Sequence, residues 1–335
     1  MAYDVKVKID LTKPVGNIGF GIPLILSENA TKAVDYTECA NMADVVAAGF
    51  ANTTTVYKAA QLVFAQNNAP KKVAVCAVTG GADVAMADAV LIAKGWRQLV
   101  VVGSGDSTTD VAKVAAAVEL LEGKMYFSGL DLEDSTALNV TGMNRTVLFY
   151  CDATDEAPVP VAALVGAIAG KAVGSYTVKN QILKGVAPQN LTDTQINAIH
   201  AKGGITFVAK AGDNVTSEGK VAGGEYIDIV DNKDYIVQQI AYKVQKLLNL
   251  SNKVAYDNNG IALIESAVVD VLAGAYNNGM IAVGADGKPA YSVDFALRED
   301  TAASDRAIRK YVGGNFKFEL AGAIHEAEII GEIAV

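Results

Sequence analysis

Histidine and cysteine are scarce in this 335-residue chain, which holds two of the first and three of the second. His200 and His325 neighbour neither a cysteine nor each other, so a metal site would need distant carboxylates. Cys39, Cys76 and Cys151 lie far apart, and their odd number disfavours a disulfide framework. Cys76, inside "KKVAVCAV", reads as a small buried thiol, and the set fits a reducing cytosol during folding. No Ser–His–Asp or Cys–His arrangement can be assembled from the spacing. The expectation is a protein without catalytic set, cofactor or metal, and not an enzyme.

Positive charge is also short. The formal net charge is −9 and no Lys/Arg cluster exists to neutralise phosphates, which argues against nucleic acid as a partner. Long uncharged apolar runs are missing too. The longest, "APVPVAALVGAIAG" (157–170), is too short to span a bilayer and reads as a Pro-started core helix. "MAYDVKVKID" lacks the basic-then-apolar layout of a signal peptide, so no membrane insertion is expected.

What is present is a foldable chain, 51% apolar and 19% charged, with room for two domains. Val5, Val7, Ile9 and Leu11 alternate with Lys6, Lys8 and Asp10, the period of a half-buried strand. From about 20 to 200, apolar β runs alternate with Ala-rich helical stretches. "TTTVYKAAQLVFAQNN", "ADVAMADAVLIAKG" and "TDVAKVAAAVELLEG" predict helices between the strands "KKVAVCAV", "RQLVVVG", "KMYFSG" and "RTVLFYC". Strands separated by helices imply parallel pairing with crossovers, an α/β sandwich.

In "LTDTQINAIHAKGG", Thr192 and Gln195 fit a capping box and Gly203 a helix stop. "GITFVAK" and "GEYIDIV" then predict a hairpin around a polar tip. "DYIVQQIAYKVQKLLNL" and "GIALIESAVVDVLAGAYNNG" follow as amphipathic helices. "KPAYSVDFA" is a strand, "TAASDRAIRKYVG" a short helix, and "NFKFELAGAIHEAEIIGEIAV" a closing β run that contains His325.

One turn resembles enzyme chemistry. In "RQLVVVGSGDSTTD" a strand ends at Gly103, and Gly105 and Asp106 precede a helix start whose amides could hold a phosphate. The third glycine of a dinucleotide fingerprint and a P-loop lysine are both missing, and any αβ turn favours such residues. A nucleotide-binding α/β enzyme using the Gly103-to-Asp106 turn is therefore the alternative reading. "YDNNG" (256–260) lacks most ligands of a calcium loop and is better explained as a helix cap.

Both ends read as strands. A terminal strand has one covalent connection, so it can pair with another subunit's sheet, its hydrogen bonds giving affinity and its side chains register. The competing reading is that both strands pair inside their own domain.

Four stretches carry a resemblance to the sheath proteins of contractile phage tails and of phage-tail-like bacteriocins: "VKVKIDLTKPVGNIGFGIPLIL", the segment 203–248 with Asp234–Tyr235 as a helix start, "KVAYDNNGIALIESAVVDVLAGAYNNGMI", and 301–335 with Asp305, Arg306 and Arg309. The resemblance covers residues 1–30 and 200–335. It implies an α/β fold, α+β overall: an outer α/β domain (21–200) inserted into an inner α+β domain formed by both chain ends (1–20 and 201–335), with terminal β-strand arms. It also implies a subunit that polymerises as helical sixfold rings around a tail tube and contracts to drive the tube through a target cell envelope. The expected partners are copies of itself, the tail tube protein, and baseplate and tail terminator proteins. The expected location is the tail of a virion or phage-tail-like particle assembled in the bacterial host cytoplasm. Val5, Val7 and Ile9 would lie in one linking strand, and Phe316, Phe318, Leu320 and Ile324 in the region forming the other. Glu265 and Asp270, or Asp305, Arg306 and Arg309, are the candidates for facing the tube.

Overall fold

The computed structural model describes residues 20, 22–103, 108–132, 138–152 and 159–326. Its body is an eight-stranded sheet. In chain order the strands are β1 (Leu24–Ser27), β2 (Val34–Cys39), β3 (Val73–Ala77), β4 (Gln98–Val102), β5 (Met125–Asp131), β6 (Thr146–Cys151), β7 (Gly204–Lys210) and β8 (Asp213–Thr216). In space the order is β2-β3-β1-β4-β5-β6-β7-β8. The six inner strands are parallel, while β2 and β8 are antiparallel edges.

The apolar runs of β3, β4 and β6 are buried on both faces, as parallel sheets require. Ile25, Val75, Val100, Val147 and Phe149 face one layer, with α1 (Met42–Ala47), α2 (Thr55–Phe64) and α6 (Val161–Ala169). Leu24, Leu26, Leu99, Leu148 and Tyr150 face the other. That side carries α3 (Ala82–Ala85), α4 (Ala89–Ile92), α5 (Thr108–Glu119) and α7 (Asp193–Ala201). The α/β sandwich expected from the alternation is the observed one. α6 is buried along its whole length, and Pro160 opens it. Its Gly166 lies against α2: a Cβ there would sit 2.6 Å from the Val63 carbonyl oxygen. The capping box of Thr192 and Gln195 starts α7.

Three local expectations differ. The single helix expected over 82–95 is two one-turn helices, because Asp88 caps a new start by accepting from the Val90 amide at 2.8 Å. The hairpin tip is two residues, Ala211 and Gly212, both at positive φ. "YIDIV" is no strand but the entry to α8 (Ile227–Leu250), so Asp234 and Tyr235 lie inside that helix rather than at its start. Strands β7 and β8, which lie in the 201–335 stretch, are members of the eight-stranded sheet.

After β8 the chain builds a thinner layer from α8, α9 (Asn258–Asn277), α10 (Ala303–Ala307) and a two-stranded antiparallel ribbon of β9 (Tyr291–Phe295) and β10 (Gly314–Phe318). Asp257 caps α9, accepting from the Gly260 amide at 2.9 Å, which accounts for "YDNNG". α9 is long and apolar enough to cross a bilayer by length and composition alone. Here Val268, Leu272 and Ala275 pack instead with Ile236, Ile240 and Val244 of α8.

Candidate functional site: the C-terminal ribbon and its junction

In the ribbon, Phe316 is opposite Val293 and Phe318 opposite Tyr291, and all four are half-buried against the cluster made by α8 and α9. Leu320 continues the pattern through a bridge to Ile281. Ser292, Asp294, Asn315, Lys317 and Glu319 point outward and are exposed. Among the described residues no third strand joins this two-stranded sheet. A two-stranded ribbon is marginal alone, and burying a Phe completely contributes only ~1.5–3 kcal/mol, much of which half-buried rings forgo. Its outer edges carry a row of backbone donors and acceptors of the kind that templates strand addition.

The closing segment departs from its expected form: 321–326 has no strand structure, so His325 lies outside any β run. Phe316, Phe318 and Leu320 thus belong to an intrachain layer, whereas Ile324 is 89% exposed. Val5, Val7 and Ile9 lie outside the described residues.

The five charged candidates separate by environment. Asp270 is exposed and pairs with Lys243 at 2.9 Å, an exposed pair worth at most about 1 kcal/mol. Arg309 is exposed, at φ 57°, while Glu265 and Asp305 are half-buried. Arg306 is committed to its own loop: its Nη1 donates to the carbonyls of Arg298 (3.1 Å) and Thr301.

The thin layer is fixed to the sheet by a buried ion cluster. Arg97, one residue before β4, donates Nε to Asp231 Oδ1 at 2.9 Å and Nη1 to Asp234 Oδ2 at 2.9 Å. Its Nη2 also donates to Asp231. Arg145, one residue before β6, grips both oxygens of Asp234, at 2.7 and 3.0 Å. The Tyr176 hydroxyl donates to Asp231 Oδ2 at 2.7 Å. Arg97 and Asp231 are 1% and 2% exposed, so each charge is tenable only because the other is there. Burial opposes the charge on Arg97, but Asp231 and Asp234 more than offset it and hold its pKa above the ordinary value. Burial likewise pushes Asp234 up, and the two arginines bring it below the usual carboxylate range. Beside the cluster, Lys124 donates to the Lys94 carbonyl at 2.8 Å, and burial, then Arg97, bring its pKa down to about 7. Sequence reasoning missed this cluster. The available signal was an arginine directly preceding an apolar strand, and two aspartates three apart on an amphipathic helix.

The enzyme-like turn has a structural account at its first residue. Gly103 has φ 112°, and a Cβ there would lie 3.1 Å from the Glu28 carbonyl oxygen at the end of β1. Close approach of two parallel strand ends therefore requires a glycine. Gly105 and Asp106 lie outside the described residues. Among those described, no group of three or more His, Cys, Asp or Glu side chains could hold a metal ion.

A body of parallel sheet under two helical layers, with a helix pair and an open ribbon beside it, is the fold of contractile sheath subunits. Over 99% of this chain and 96% of the other, it superposes with TM-score 0.70 and 13% identity on a protein of the PVC extracellular contractile injection system sheath in its contracted state. Over 100% and 99%, it does so with TM-score 0.68 and 13% identity on a protein of the anti-feeding prophage baseplate. A sheath tail protein from Listeria innocua aligns over 92% and 97%, with TM-score 0.59 and 10% identity. By sequence, residues 227–333 match the family described as E217 tail sheath protein gp31-like, C-terminal domain. The match begins at the first residue of α8. No curated protein sequence matches the chain.

Proposed function

We propose that this chain is the structural subunit of a contractile tail sheath, polymerising around a tail tube and shortening to drive that tube through an envelope. The observation that carries the reading is the β9–β10 ribbon, a sheet with only two strands among the described residues, inside the segment that matches a sheath C-terminal domain. Strands supplied by neighbouring copies complete that sheet, and residues 1–10, with Val5, Val7 and Ile9, are one such strand. Backbone pairing suits the task because its hydrogen bonds resist separation while the connecting arms bend. The α/β body forms the outer domain. The inner domain, built from 227 onward with the N-terminal strand, faces the tube through Glu265, Asp270, Asp305 or Arg309. The tube protein, baseplate and terminator are its other partners, and assembly takes place in the host cytoplasm before the particle is complete. Both phage tails and phage-tail-like particles fit this reading.

Electron microscopy of the purified protein tests the proposal. Tubes or helical polymers are expected at high protein concentration. Deleting residues 1–10 is expected to leave the circular dichroism spectrum and melting transition intact while abolishing polymers. A protein that stays monomeric at every concentration sinks the reading, and unfolding on deletion makes the N-terminal strand intramolecular.

A further inference from the structure

Neighbouring residues of the closing segment face opposite ways. Ile324 is 89% exposed, whereas the His325 side chain is 8% exposed, inserted into the subunit's own α/β body. Its Nε2 is 2.7 Å from Thr177 Oγ1 and its Nδ1 is 3.6 Å from Glu218 Oε1. The ring stands edge-on to Tyr226 with centroids 4.8 Å apart. Tyr226 also carries Lys220, whose Nζ is 4.9 Å from the ring centroid. The next residue, Glu326, reaches Lys179 at 3.3 Å but is itself 87% exposed, so that pair adds little. The ladder holding the ribbon ends at the Ala321 amide, which donates to Met280 at 2.8 Å. Among the described residues, no backbone–backbone hydrogen bond attaches 322–326 beyond it.

Beyond Ala321 the strap 322–326 is thus held chiefly by one buried imidazole, with Ile324 turned outward and, among the described residues, no backbone–backbone hydrogen bond. Permanent attachment would bury Ile324 and pair the backbone, because an exposed apolar residue and an open edge are liabilities in a finished surface. We propose that His325 is a latch. It parks residues 321–326 on the subunit's own body, in a socket of Thr177, Glu218 and Tyr226, and must leave that socket before the segment pairs with another copy of this chain. The pairing step rests on the sheath reading, whereas the latch does not. The device keeps an open strand from associating early, and it costs little to release because one side chain holds it.

Limited proteolysis of the unassembled full-length protein, with light scattering for polymer growth, tests this. In His325→Ala, cleavage within 321–326 is expected to be about five- to tenfold faster, the change for losing one net hydrogen bond, with cleavage elsewhere unaffected. Polymer growth is expected to be faster than wild type. Thr177→Val, which alters the socket and leaves the strap's sequence intact, should act in the same direction. His325→Gln, which can still donate to Thr177, should restore part of the protection. Unchanged cleavage in both alanine and valine variants overturns the latch. Faster cleavage with slower growth also overturns it, by making the docked strap part of the assembled form. A wild-type chain that never polymerises removes the sheath reading, and proteolysis alone then decides the latch.

Discussion

The α/β body and the C-terminal region bury their apolar residues to different degrees. In the body, Leu24, Ile25, Val75, Leu99, Val100 and Phe149 are completely inaccessible, and two helical layers close both faces of the sheet. From 227 onward the buried cluster is small, built around Ile236, Ile240, Leu272 and Met280. The same region leaves Leu250, Leu263, Val283, Leu297, Ile308 and Val312 exposed. The body also exposes Val46, Val84, Val90, Leu120 and Ile182, so the contrast lies in the size of the buried core beneath the surface. The ion cluster is where the C-terminal region leans on the body.

The largest expected effect breaks that dependence. Arg97→Ala leaves Asp231 buried without its cation and is expected to cost about 3–5 kcal/mol in urea unfolding. It should also split the transition, the C-terminal region melting first. A single unsplit transition shifted by less than about 1 kcal/mol would show that the two regions hold together without the cluster.

A glycine in each region gives a smaller, sharper contrast. Gly166→Ala drives a methyl into the Val63 backbone of α2, and overpacking of this kind costs about 1–3 kcal/mol. Gly274 of α9 has nothing within 4 Å of a Cβ, so Gly274→Ala is expected to stabilise by about 0.5–1 kcal/mol, as removing glycine from a helix interior does. Opposite shifts in melting temperature from the same substitution would express the packing difference directly. Two shifts of the same sign would erase it.

The smallest effect on stability belongs to the exposed apolar surface. Leu297→Ser with Ile308→Ser should change unfolding free energy by no more than about 0.5 kcal/mol per site, because neither side chain is buried. If those residues are covered in an assembly, polymer yield falls while the melting curve stays put. A fall in both would place them in the subunit's own fold.

The legible part of the molecule was the part set by short-range pattern. Short continuous apolar runs marked β3, β4 and β6, and Thr192 with Gln195 marked the start of α7, because residues within a few positions suffice to decide them. The β-branched residues of "YIDIV" misled because propensity favours a strand there, while tertiary packing continues the helix through them. Asp88 disguised a break as continuity, since a cap can also sit inside an apparent helical period. The membership of β7 in the large sheet was not legible because its partner β6 lies far back in the chain. The ion cluster was illegible for the same reason: Arg97 and Asp231 are 134 positions apart, and nothing in either neighbourhood names the other.

The placement of those two arginines has a mechanical meaning. Arg97 and Arg145 stand at the entrances of β4 and β6, and both hold the first turns of α8. A pull on the ribbon therefore has a load path of several parallel attachments into the roots of two strands, and does not travel only along the covalent thread at Ile227. Traction at the C-terminal end is shared by the sheet, as a keel distributes the strain of a mast.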